Sequence, residues 1–310
     1  MKSGFCVLWG RPNVGKSTLL NALLKRKHVI VTPRPQTTRD RIVGVLHGKL
    51  PPAPEAEEGA APEEYQIVFL DTPGIHEPQH KLGETLVRTA RGALNDIECV
   101  LLVGDCSDKP HDDDVRAVEL LKNVRVPVLL VLNKWDLLPE NEALRLERAT
   151  EFIALREFAG VMRVSALRGD GLAELKQEII GRLPDGDPYF PADMMGDRPP
   201  EFHISERIRE QALLQLREEV PHSVAVGVEQ MQPRPNGSLY IEAFIYVERD
   251  SQKGIVIGKG GSRLKEIGSA ARTEIEAMLG RSVFLEIRVK VRENWRESDL
   301  WIKRMGYQGD

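Results

Sequence analysis

The chain has 310 residues, of which 41% are hydrophobic, and a formal net charge of −4 at pH 7. This length favours about two domains with ordinary hydrophobic cores. No apolar stretch approaches the ~20 residues that cross a bilayer, and a predicted strand begins near the N-terminus, so we expect neither a transmembrane helix nor a signal peptide. The three cysteines, Cys6, Cys99 and Cys106, lack metal-binding spacing. We therefore expect free thiols and a cytoplasmic protein.

The first motif is a glycine-containing loop between an apolar run at 5–9 and a leucine-rich run at 18–24. This context predicts a strand, a phosphate-binding loop and a helix, because consecutive N–H groups and the helix N-terminus attract an anion. Gly10 and Gly15 permit backbone geometry that a Cβ hinders. We expect Lys16 to reach the β- and γ-phosphates and the Ser17 hydroxyl to bind Mg²⁺. The predicted nucleotide-binding residues of the loop are Gly10, Arg11, Pro12, Asn13, Val14, Gly15, Lys16, Ser17 and Thr18.

Two connecting segments follow the first helix. Residues 37–40 have the sequence TTRD and precede the next predicted strand, where a mobile segment would bring a threonine hydroxyl to Mg²⁺. Thr38 is favoured for this role, and Thr37 is the alternative. Residues 51–64 are rich in Pro, Ala and Glu, a composition that cannot bury a core. We expect a disordered hairpin tip there and assign it no function.

The next motif ends the predicted strand at 66–70 and consists of Asp71, Thr72, Pro73 and Gly74. A carboxylate at this position can hold Mg²⁺ through its water shell. The Gly74 N–H can meet the γ-phosphate, so this segment would report whether that phosphate is present. Asp71, Ser17 and Thr38 together form the predicted Mg²⁺ site.

Guanine selectivity is indicated by four residues that follow the apolar run at 126–132, namely Asn133, Lys134, Trp135 and Asp136. The aspartate can accept hydrogen bonds from N1–H and N2–H₂ of guanine, whereas adenine lacks this donor pair. Alone, the pattern is also typical of a solvated turn; in order after a phosphate-binding loop it is specific. The strand at 161–164 then ends at Ser165, Ala166 and Leu167, where the first two N–H groups are expected to touch guanine O6. A serine at a strand end is also typical of a helix cap.

These ordered motifs, GRPNVGKS, PQTTR, DTPGIHEP, NKWD and SAL, resemble those of the Era family of bacterial GTPases, within the translation-factor-related P-loop class. The resemblance implies a P-loop GTPase domain at 1–183, in which a doubly wound, mostly parallel α/β sheet is closed by the amphipathic helix 172–180. A linker rich in Pro, Asp and Gly is expected at 184–200. The family implies binding of GTP and GDP with Mg²⁺, and hydrolysis of GTP.

The resemblance continues through the last third of the chain and implies a smaller α+β KH domain of type II topology at 201–310. Periodicity predicts a helix at 204–218, strands at 223–230 and 238–248, a helix at 262–279 and a strand at 283–291. The side chains of the first helix expected to face the sheet are Ile208, Leu213, Leu214 and Leu216. Residues 252–292 carry 9 basic and 4 acidic side chains, a local basic surface that suits RNA despite the net charge.

The glycine-rich turn before the helix at 262 predicts the RNA contact. In KH domains a GxxG turn clamps four backbone nucleotides, because no side chain blocks the approach of the phosphates. Lys259 adds positive charge, and an apolar edge with Ile255 and Ile257 would face the bases, although both side chains are at least as readily placed in the core. The predicted RNA-binding residues are Ile257, Gly258, Lys259, Gly260, Gly261 and Arg263.

The predicted chemistry is in-line attack of water on the γ-phosphate, with Lys16, Asn13, Thr38 and Gly74 as the catalytic residues. The predicted nucleotide site also includes Ile75, which stands where familiar small GTPases carry a water-positioning glutamine. Because an aliphatic side chain cannot orient water by hydrogen bonding, intrinsic hydrolysis should be slow. Asn13 resembles the P-loop asparagine through which related GTPases bind K⁺, and we hypothesise modest stimulation by K⁺.

By resemblance, the RNA partner is the 3′ end of 16S rRNA and the process is assembly of the 30S subunit; we expect a monomer that does not bind DNA. The family is also linked with peripheral contact to the inner membrane, although no basic amphipathic anchor is evident here. Two alternatives stay open: an RNA-binding module with a structural GTP site, and another P-loop phosphotransferase. A coupling model follows, in which the γ-phosphate orders the segments around Thr38 and Gly74 and so shifts the docking of the KH domain.

Overall fold

The N-terminal part of the chain forms one sheet. The computed structural model describes residues 1–50, 62–194 and 196–307. The strands are β1 (Lys2–Trp9), β2 (Ile42–Leu50), β3 (Glu63–Asp71), β4 (Cys99–Asp105), β5 (Val128–Asn133) and β6 (Gly160–Arg163). They lie in the order β2-β3-β1-β4-β5-β6; β2 and β3 are antiparallel, and the other neighbours are parallel. The prediction of a mostly parallel α/β sheet is confirmed.

Helices cover both faces of this sheet: α1 (Lys16–Leu24), α2 (Lys81–Gly92), α3 (Asp112–Glu119), α4 (Glu142–Ile153) and α5 (Leu172–Ile180). Because the central strands are covered on both sides, their sequences are nearly unbroken apolar runs, and every residue of β4 and β5 is buried. Alternate residues of β1 enter two different apolar cores, one on each face. The parallel strands all end at one edge of the sheet, which brings the predicted nucleotide-binding motifs together.

The C-terminal part forms a second sheet with the order β7-β8-β9. Its elements are α6 (Pro200–Gln215), α7 (Val220–Ser223), β7 (Ala225–Pro233), β8 (Leu239–Val247), α8 (Asp250–Ile257), α9 (Ser262–Leu279), β9 (Val283–Val291) and α10 (Asp299–Arg304). β7 and β8 are antiparallel, whereas β8 and β9 are parallel. The order of a helix, two strands, a helix pair and a strand confirms the predicted type II KH topology.

The first KH helix differs from the prediction at both ends. It begins at Pro200, inside the predicted linker, where a proline is well suited to the first helical position. It ends at Gln215, and Leu214 is 50% exposed rather than packed on the sheet. The reason is the helical period: adjacent residues point about 100° apart, and Leu213 is the one that is buried.

The predicted hairpin tip at 51–64 is only partly described. Residues 51–61 lie outside the described residues. Glu63 and Glu64 belong to β3 instead of a loop, and they pair with Leu50 and Lys49 of β2. The antiparallel hairpin therefore reaches further than composition alone indicated, since two glutamates at an exposed strand end need no buried core.

The two domains meet at a separate apolar cluster. It joins Leu82 and Leu86 of α2 to residues of the KH domain, namely Ala225, Phe244, Tyr246, Trp295, Ile302 and Tyr307. The cysteines are free and buried, as predicted. In the ranges that the structure describes, every helix is too short or too polar to span a lipid bilayer.

Candidate functional site

The phosphate-binding loop lies between β1 and α1, at the edge where the parallel strands end. Gly10 and Gly15 have φ angles of 142° and 97°, a backbone region that favours glycine. A Cβ on Gly10 would lie 2.5 Å from the carbonyl oxygen of Val103, and one on Gly15 would lie 2.3 Å from the amide nitrogen of Asn133. Both glycines are therefore required by backbone conformation and by the close approach of neighbouring strand ends.

Lys16 is held inside this loop. Its side-chain ammonium donates to the carbonyl oxygens of Gly10 and Arg11, each at 2.9 Å, and the residue is 6% exposed. Burial lowers the pKa of Lys16 to about 8, against an opposing attraction from Asp71. The loop lines a cavity of about 320 Å³ together with residues of 30–38, Thr72, Gly74 and Lys134. A buried ammonium that faces such a cavity suits an anionic phosphate.

The three oxygen ligands predicted for Mg²⁺ converge in the structure. Ser17 Oγ donates to Asp71 Oδ2 at 2.7 Å and lies 2.9 Å from Thr38 Oγ1. Asp71 is fully buried, and its Oδ1 has no hydrogen-bond partner in the described part of the chain. Burial raises the pKa of Asp71 to about 6, and Lys16 opposes the rise. Two hydroxyls around a carboxylate with an unpartnered oxygen form a hard donor set that fits Mg²⁺.

Thr37, the alternative ligand, points elsewhere. Its hydroxyl donates to the carbonyl oxygen of Arg34 at 2.7 Å and lies 2.7 Å from the hydroxyl of Thr32. This arrangement favours Thr38 for the Mg²⁺ site.

The segment after β3 packs directly on the phosphate-binding loop. A Cβ on Gly74 would lie 2.5 Å from the backbone nitrogen of Pro12, so this position must be glycine. Ile75 donates its N–H to the Gly10 carbonyl at 3.1 Å, but its side chain is fully buried in an apolar core. Ile75 therefore contributes a backbone contact to the site and presents no side chain to the cavity.

The predicted guanine-binding residues follow β5. Asn133 donates its side-chain amide to the Val14 carbonyl at 2.8 Å, which ties this segment to the phosphate-binding loop. Lys134 has a φ angle of 60°, and its ammonium donates to Asp105 at 2.5 Å. The Asp136 side chain is 6% exposed, and its carboxylate lies 3.6 Å from Arg168. A nearly buried carboxylate with a single distant cation can accept both guanine donors.

Ser165 and Ala166 depart from the prediction. The N–H of Ser165 donates to the Asp170 carbonyl at 3.0 Å, and that of Ala166 donates to the Asn133 side chain at 3.0 Å. Neither is free for guanine O6, because both close the turn that positions Asn133. Among the described residues, the N–H of Leu167 has no acceptor, and its side chain is 82% exposed. Leu167 is thus the better placed donor.

Several predicted residues support the site rather than face it. The Thr72 hydroxyl donates to the Leu8 carbonyl at 2.7 Å. The Trp135 ring lies between the guanidinium groups of Arg145 and Arg163, at 5.9 and 5.0 Å. Val14 and Pro73 are buried, whereas Pro12, Asn13 and Thr18 line the cavity.

Two carboxylates that the sequence analysis missed hold these segments together. Asp105, the last residue of β4, accepts from Lys134 and lies 3.9 Å from Arg11. Arg11 also donates to Asp114 of α3 at 2.9 Å. A polar residue at the end of an apolar strand would have pointed to Asp105, since Asp71 and Asn133 occupy equivalent strand ends. Asp114 carries no such signal, because its position depends on how α3 packs.

The glycine-rich turn between α8 and α9 is open to solvent. Gly258, Gly260 and Gly261 have φ angles of 73°, 60° and 80°. A Cβ on Gly260 or Gly261 would meet nothing within 4 Å. Conformation rather than crowding therefore requires glycine at 260 and 261, whereas a Cβ on Gly258 would also lie 2.8 Å from the Arg263 Cβ. The exposed Lys259 adds positive charge. Arg263 donates across the turn to the Ile255 carbonyl at 3.1 Å.

A groove of about 390 Å³ continues from this turn between α9 and β9. It is lined by Gly261, Leu264, Lys265, Gly268, Ser269, Arg272, Leu285, Glu286 and Ile287. Its apolar floor comes from one face of α9 and alternate residues of β9, which the sequence analysis did not assign. Ile257 instead packs partly into the KH core, while Ile255 is 39% exposed.

The segment 31–39 connects the nucleotide cavity to the KH domain. Arg39 is 3% exposed and donates to the carbonyl oxygens of Val224 at 2.6 Å and His222 at 3.1 Å. Its guanidinium lies 5.8 Å and 5.6 Å from the ring centres of Trp295 and Tyr307. Thr38, the next residue towards the phosphate loop, faces Ser17 and Asp71.

Two α6 side chains hold the same segment. Glu210 accepts from the Val31 N–H at 3.0 Å, and Arg209 donates to the Thr37 carbonyl. Arg209 is 1% exposed and also pairs with Glu206. The KH domain is therefore hydrogen-bonded to both ends of this segment, at Val31 and at Thr37 and Arg39. The middle of the segment lines the nucleotide cavity.

Comparison with known proteins agrees with this arrangement. The family model described as 50S ribosome-binding GTPase matches residues 5–134, and the KH domain model matches residues 219–296. GTPase Era of Heliobacterium modesticaldum is 45% identical over 308 residues, covering 99% of this chain and 97% of that protein. GTPase Era of Clostridium botulinum is 44% identical, covering 99% and 98%.

Solved structures of similar chains extend over both domains. A crystal structure of Era in complex with Mg-GDPNP and nucleotides 1506–1542 of 16S ribosomal RNA has a TM-score of 0.90 and 38% identity, covering 99% of each chain. A single-substitution variant of Aquifex aeolicus Era bound to GDP and aluminium tetrafluoride has a TM-score of 0.89 and 38% identity, covering 99% of this chain and 100% of that one.

Proposed function

The chain belongs to the Era family of GTPases, and from that premise we propose that it is a slow, nucleotide-controlled switch that binds 16S rRNA through its KH domain during assembly of the 30S subunit. The observation that carries the proposal is the segment 31–39, which lines the nucleotide cavity and is bonded to the KH domain through Arg39, Arg209 and Glu210. The description of the GTPase family model names the large (50S) ribosomal subunit, whereas the Era complex contains RNA of the small subunit. The Era complex is the better guide to the RNA partner, because its similarity covers both domains, whereas the family model matches residues 5–134.

In this proposal the predicted residues divide the chemistry between them. The phosphate-binding loop and Lys16 hold and neutralise the phosphates, and Asp136 selects guanine. Ser17, Thr38 and Asp71 would hold Mg²⁺, which when bound supplies positive charge to the phosphate oxygens. Water attacks the γ-phosphorus of GTP, and the products are GDP and phosphate. The segment after Gly74 contributes no water-orienting side chain, because the Ile75 side chain is buried.

The switch is tested by RNA affinity in two nucleotide states. The protein loaded with a non-hydrolysable GTP analogue should bind a labelled 16S rRNA 3′ fragment about 5- to 100-fold more tightly than the GDP form, a typical allosteric coupling. Equal affinity in the two states would contradict the switch. Single-turnover hydrolysis with and without RNA then separates a switch from an RNA-binding module with a structural GTP site.

The RNA clamp is tested in the glycine-rich turn. Changing Lys259→Asp together with Gly260→Asp places two carboxylates where phosphates should approach, and we expect RNA binding to be lost. Hydrolysis of GTP should stay at the wild-type rate because both positions are exposed, and the thermal unfolding midpoint should fall only by the strain of a non-glycine residue at the positive φ angle of Gly260. Retained RNA affinity in this variant would refute the clamp.

Asn13 carries the proposal of K⁺ stimulation. Its backbone has a φ angle of 64°, and its side-chain amide donates to the Pro33 carbonyl at 3.2 Å, beside the cavity. We expect faster hydrolysis in K⁺ than in Na⁺ at equal ionic strength, and we expect Asn13→Ala to remove the difference. Equal rates in the two salts, with Asn13→Ala unaffected, would contradict it.

A further inference from the structure

The side chains that line the phosphate cavity are nearly all engaged. Lys16 donates to two carbonyls, the Thr37 hydroxyl donates to Arg34, and the Thr72 hydroxyl donates to Leu8. Ser17 and Thr38 belong to the predicted Mg²⁺ site. Ile75, where a water-positioning glutamine would stand, is buried in the core. The group that orients the attacking water must therefore come from elsewhere.

Gln36 remains. It lies in the segment 31–39, lines the phosphate cavity, and also lines the neighbouring cavity that contains His76. Its amide oxygen is buried and has no hydrogen-bond partner in the described part of the chain. Burying an acceptor without a donor is unfavourable. A water molecule that donates to this oxygen would satisfy it, and such a water reaches it once the segment 31–39 shifts, because the oxygen itself has almost no accessible surface.

His76 fixes which end of the Gln36 amide is available. The His76 Nδ1 lies 2.9 Å from the Gly74 carbonyl, and its Nε2 lies 3.1 Å from the Gln36 amide nitrogen. A carbonyl can only accept, so Nδ1 carries the proton. In the neutral ring Nε2 is then an acceptor, and only the Gln36 NH₂ can satisfy it. The amide oxygen is consequently turned away from His76, as an acceptor.

We infer that Gln36 is a catalytic residue that orients the attacking water, and that His76 is the positioning residue that holds its amide. The inference rests on the GTP hydrolysis assigned above. As the water oxygen bonds to the γ-phosphorus, the bond from that phosphorus to the bridging oxygen of GDP breaks. The Gln36 oxygen accepts a hydrogen bond and no proton; the proton leaves with the released phosphate. This chain thus supplies from the segment before Thr38 what small GTPases supply from the segment after Gly74.

The test compares Gln36→Ala with Gln79→Ala in the full-length protein. Gln79 lines the neighbouring cavity but not the phosphate cavity, so it is a matched control. Gln36→Ala should lower single-turnover hydrolysis about 10- to 100-fold, no more than the lower end of the ~10²–10⁴-fold effect of a general acid or base, because the amide takes up no proton. GTP and GDP affinity should stay within about twofold. The control should match the wild type in both measurements.

A second readout does not depend on turnover. Aluminium fluoride should tighten the binding of fluorescent GDP to the wild type, and Gln36→Ala should lose most of this gain. His76→Ala should lower hydrolysis less, and the variant with both changes should be no slower than Gln36→Ala alone, because His76 acts through Gln36.

Three results would overturn the inference: hydrolysis by Gln36→Ala within twofold of wild type, a parallel loss of GTP affinity and hydrolysis, or additive effects of the two changes. A wild-type protein that does not hydrolyse GTP would instead contradict the GTPase assignment, so the two failures are distinguishable.

Discussion

The nucleotide site and the glycine-rich turn of the KH domain are built in different ways. In the nucleotide site, side chains of defined type are held by one another: Asn133 is bonded to the phosphate-binding loop, Lys134 to Asp105, and Ser17 to Asp71. In the glycine-rich turn of the KH domain, the glycines have positive φ angles, and Gly260 and Gly261 have empty space around them. The first site depends on side-chain chemistry, and the second depends on backbone shape.

This difference decides what each site can recognise. In the proposed function, the buried Asp136 and Lys16 would discriminate by charge and hydrogen bonding, since a ligand without the matching groups leaves them unsatisfied. An open glycine turn admits any nucleic acid backbone, and further selection must come from the groove between α9 and β9. We therefore expect single substitutions to have larger effects in the nucleotide site than in the RNA groove.

The largest effect is expected from Asp136→Asn. The amide offers a donor where guanine also has a donor, so GTP affinity should fall by about 10³-fold or more, as for a site that loses its hydrogen-bonding match. Xanthosine triphosphate, which presents an acceptor there, should bind more tightly than GTP. Calorimetric titration with the two nucleotides measures this change of preference.

The matched control is Arg168→Ala, which removes the exposed cation 3.6 Å from Asp136. Because Arg168 is 64% exposed, solvent screens its charge and the pair contributes about 0–1 kcal/mol, so GTP affinity should change less than about fivefold. Wild-type GTP affinity in Asp136→Asn would show that residues other than Asp136 recognise the guanine base.

A smaller effect is expected from Gly260→Ala in the glycine-rich turn. An alanine with a φ angle of 60° is strained by about 1–2 kcal/mol, and its methyl group enters the space where a phosphate would approach. In the free protein the turn can relax to relieve this strain, and RNA binding must restore the glycine conformation, so RNA affinity should fall about 5- to 30-fold, the same energy expressed as an equilibrium. Fluorescence anisotropy with a labelled 16S rRNA 3′ fragment measures it.

Gly254→Ala is the control for that change. Gly254 lies within α8, has no positive φ angle, and a Cβ there would meet nothing within 4 Å. Its RNA affinity should stay within about twofold of wild type, because alanine suits a helix interior. Equal losses in the two variants would indicate that helix α8, rather than the turn, sets the affinity.

The same contrast explains what the sequence could predict. Lys16, Asp71 and Asp136 are recognisable because their chemistry needs those residue types at strand ends, and the structure brings them to one edge. The mostly parallel sheet was predictable for a related reason: strands covered on both faces read as apolar runs.

Features that depend on three-dimensional packing were not predictable. Which N–H closes the turn at 165–167 depends on where Asn133 lies, so Ser165 and Ala166 were taken as guanine ligands although both donate within the protein. The groove floor at Leu285 and Ile287 requires knowing that β9 pairs parallel to β8. The contacts of Arg39 cross nearly 190 residues of sequence and leave no local pattern.

Arg39 links the two regions, and Arg39→Lys should weaken that link. Lysine keeps the charge but cannot donate to both carbonyls while it also contacts the rings of Trp295 and Tyr307. The ratio of RNA affinities in the GTP and GDP states should shrink about three- to tenfold, a loss of about 1 kcal/mol of coupling. Affinity for each nucleotide without RNA should stay within about twofold. Anisotropy in both nucleotide states measures the ratio.

Arg41→Lys is the control for this link. Arg41 lies two positions further along the chain, and its side chain makes no hydrogen bond to the KH domain in the described ranges. Its coupling ratio should equal that of the wild type. If Arg39→Lys kept the wild-type ratio of RNA affinities in the GTP and GDP states, the coupling would depend on Arg209 and Glu210 instead.

The smallest effect at neutral pH is expected where the two domains meet at His28. Its Nε2 lies 2.7 Å from the Val43 carbonyl, and its ring centre is 5.5 Å from that of His203 in α6. Burial lowers the pKa of His28 to about 4; the bond to Val43 opposes this, and Arg26, His203 and Arg207 add to it. The folded state therefore binds fewer protons than the unfolded state between pH ~6.5 and ~4, so the free energy of unfolding falls as the pH drops through this window.

His28→Gln removes this titration while keeping a donor for the Val43 carbonyl. The loss of stability between pH 7 and pH 5 should become smaller by about 1–2 kcal/mol, whereas at pH 8, above the window, protonation no longer distinguishes the two proteins. Urea unfolding at several pH values measures the difference. Parallel pH profiles for the variant and the wild type would mean that proton binding by His28 does not affect folding.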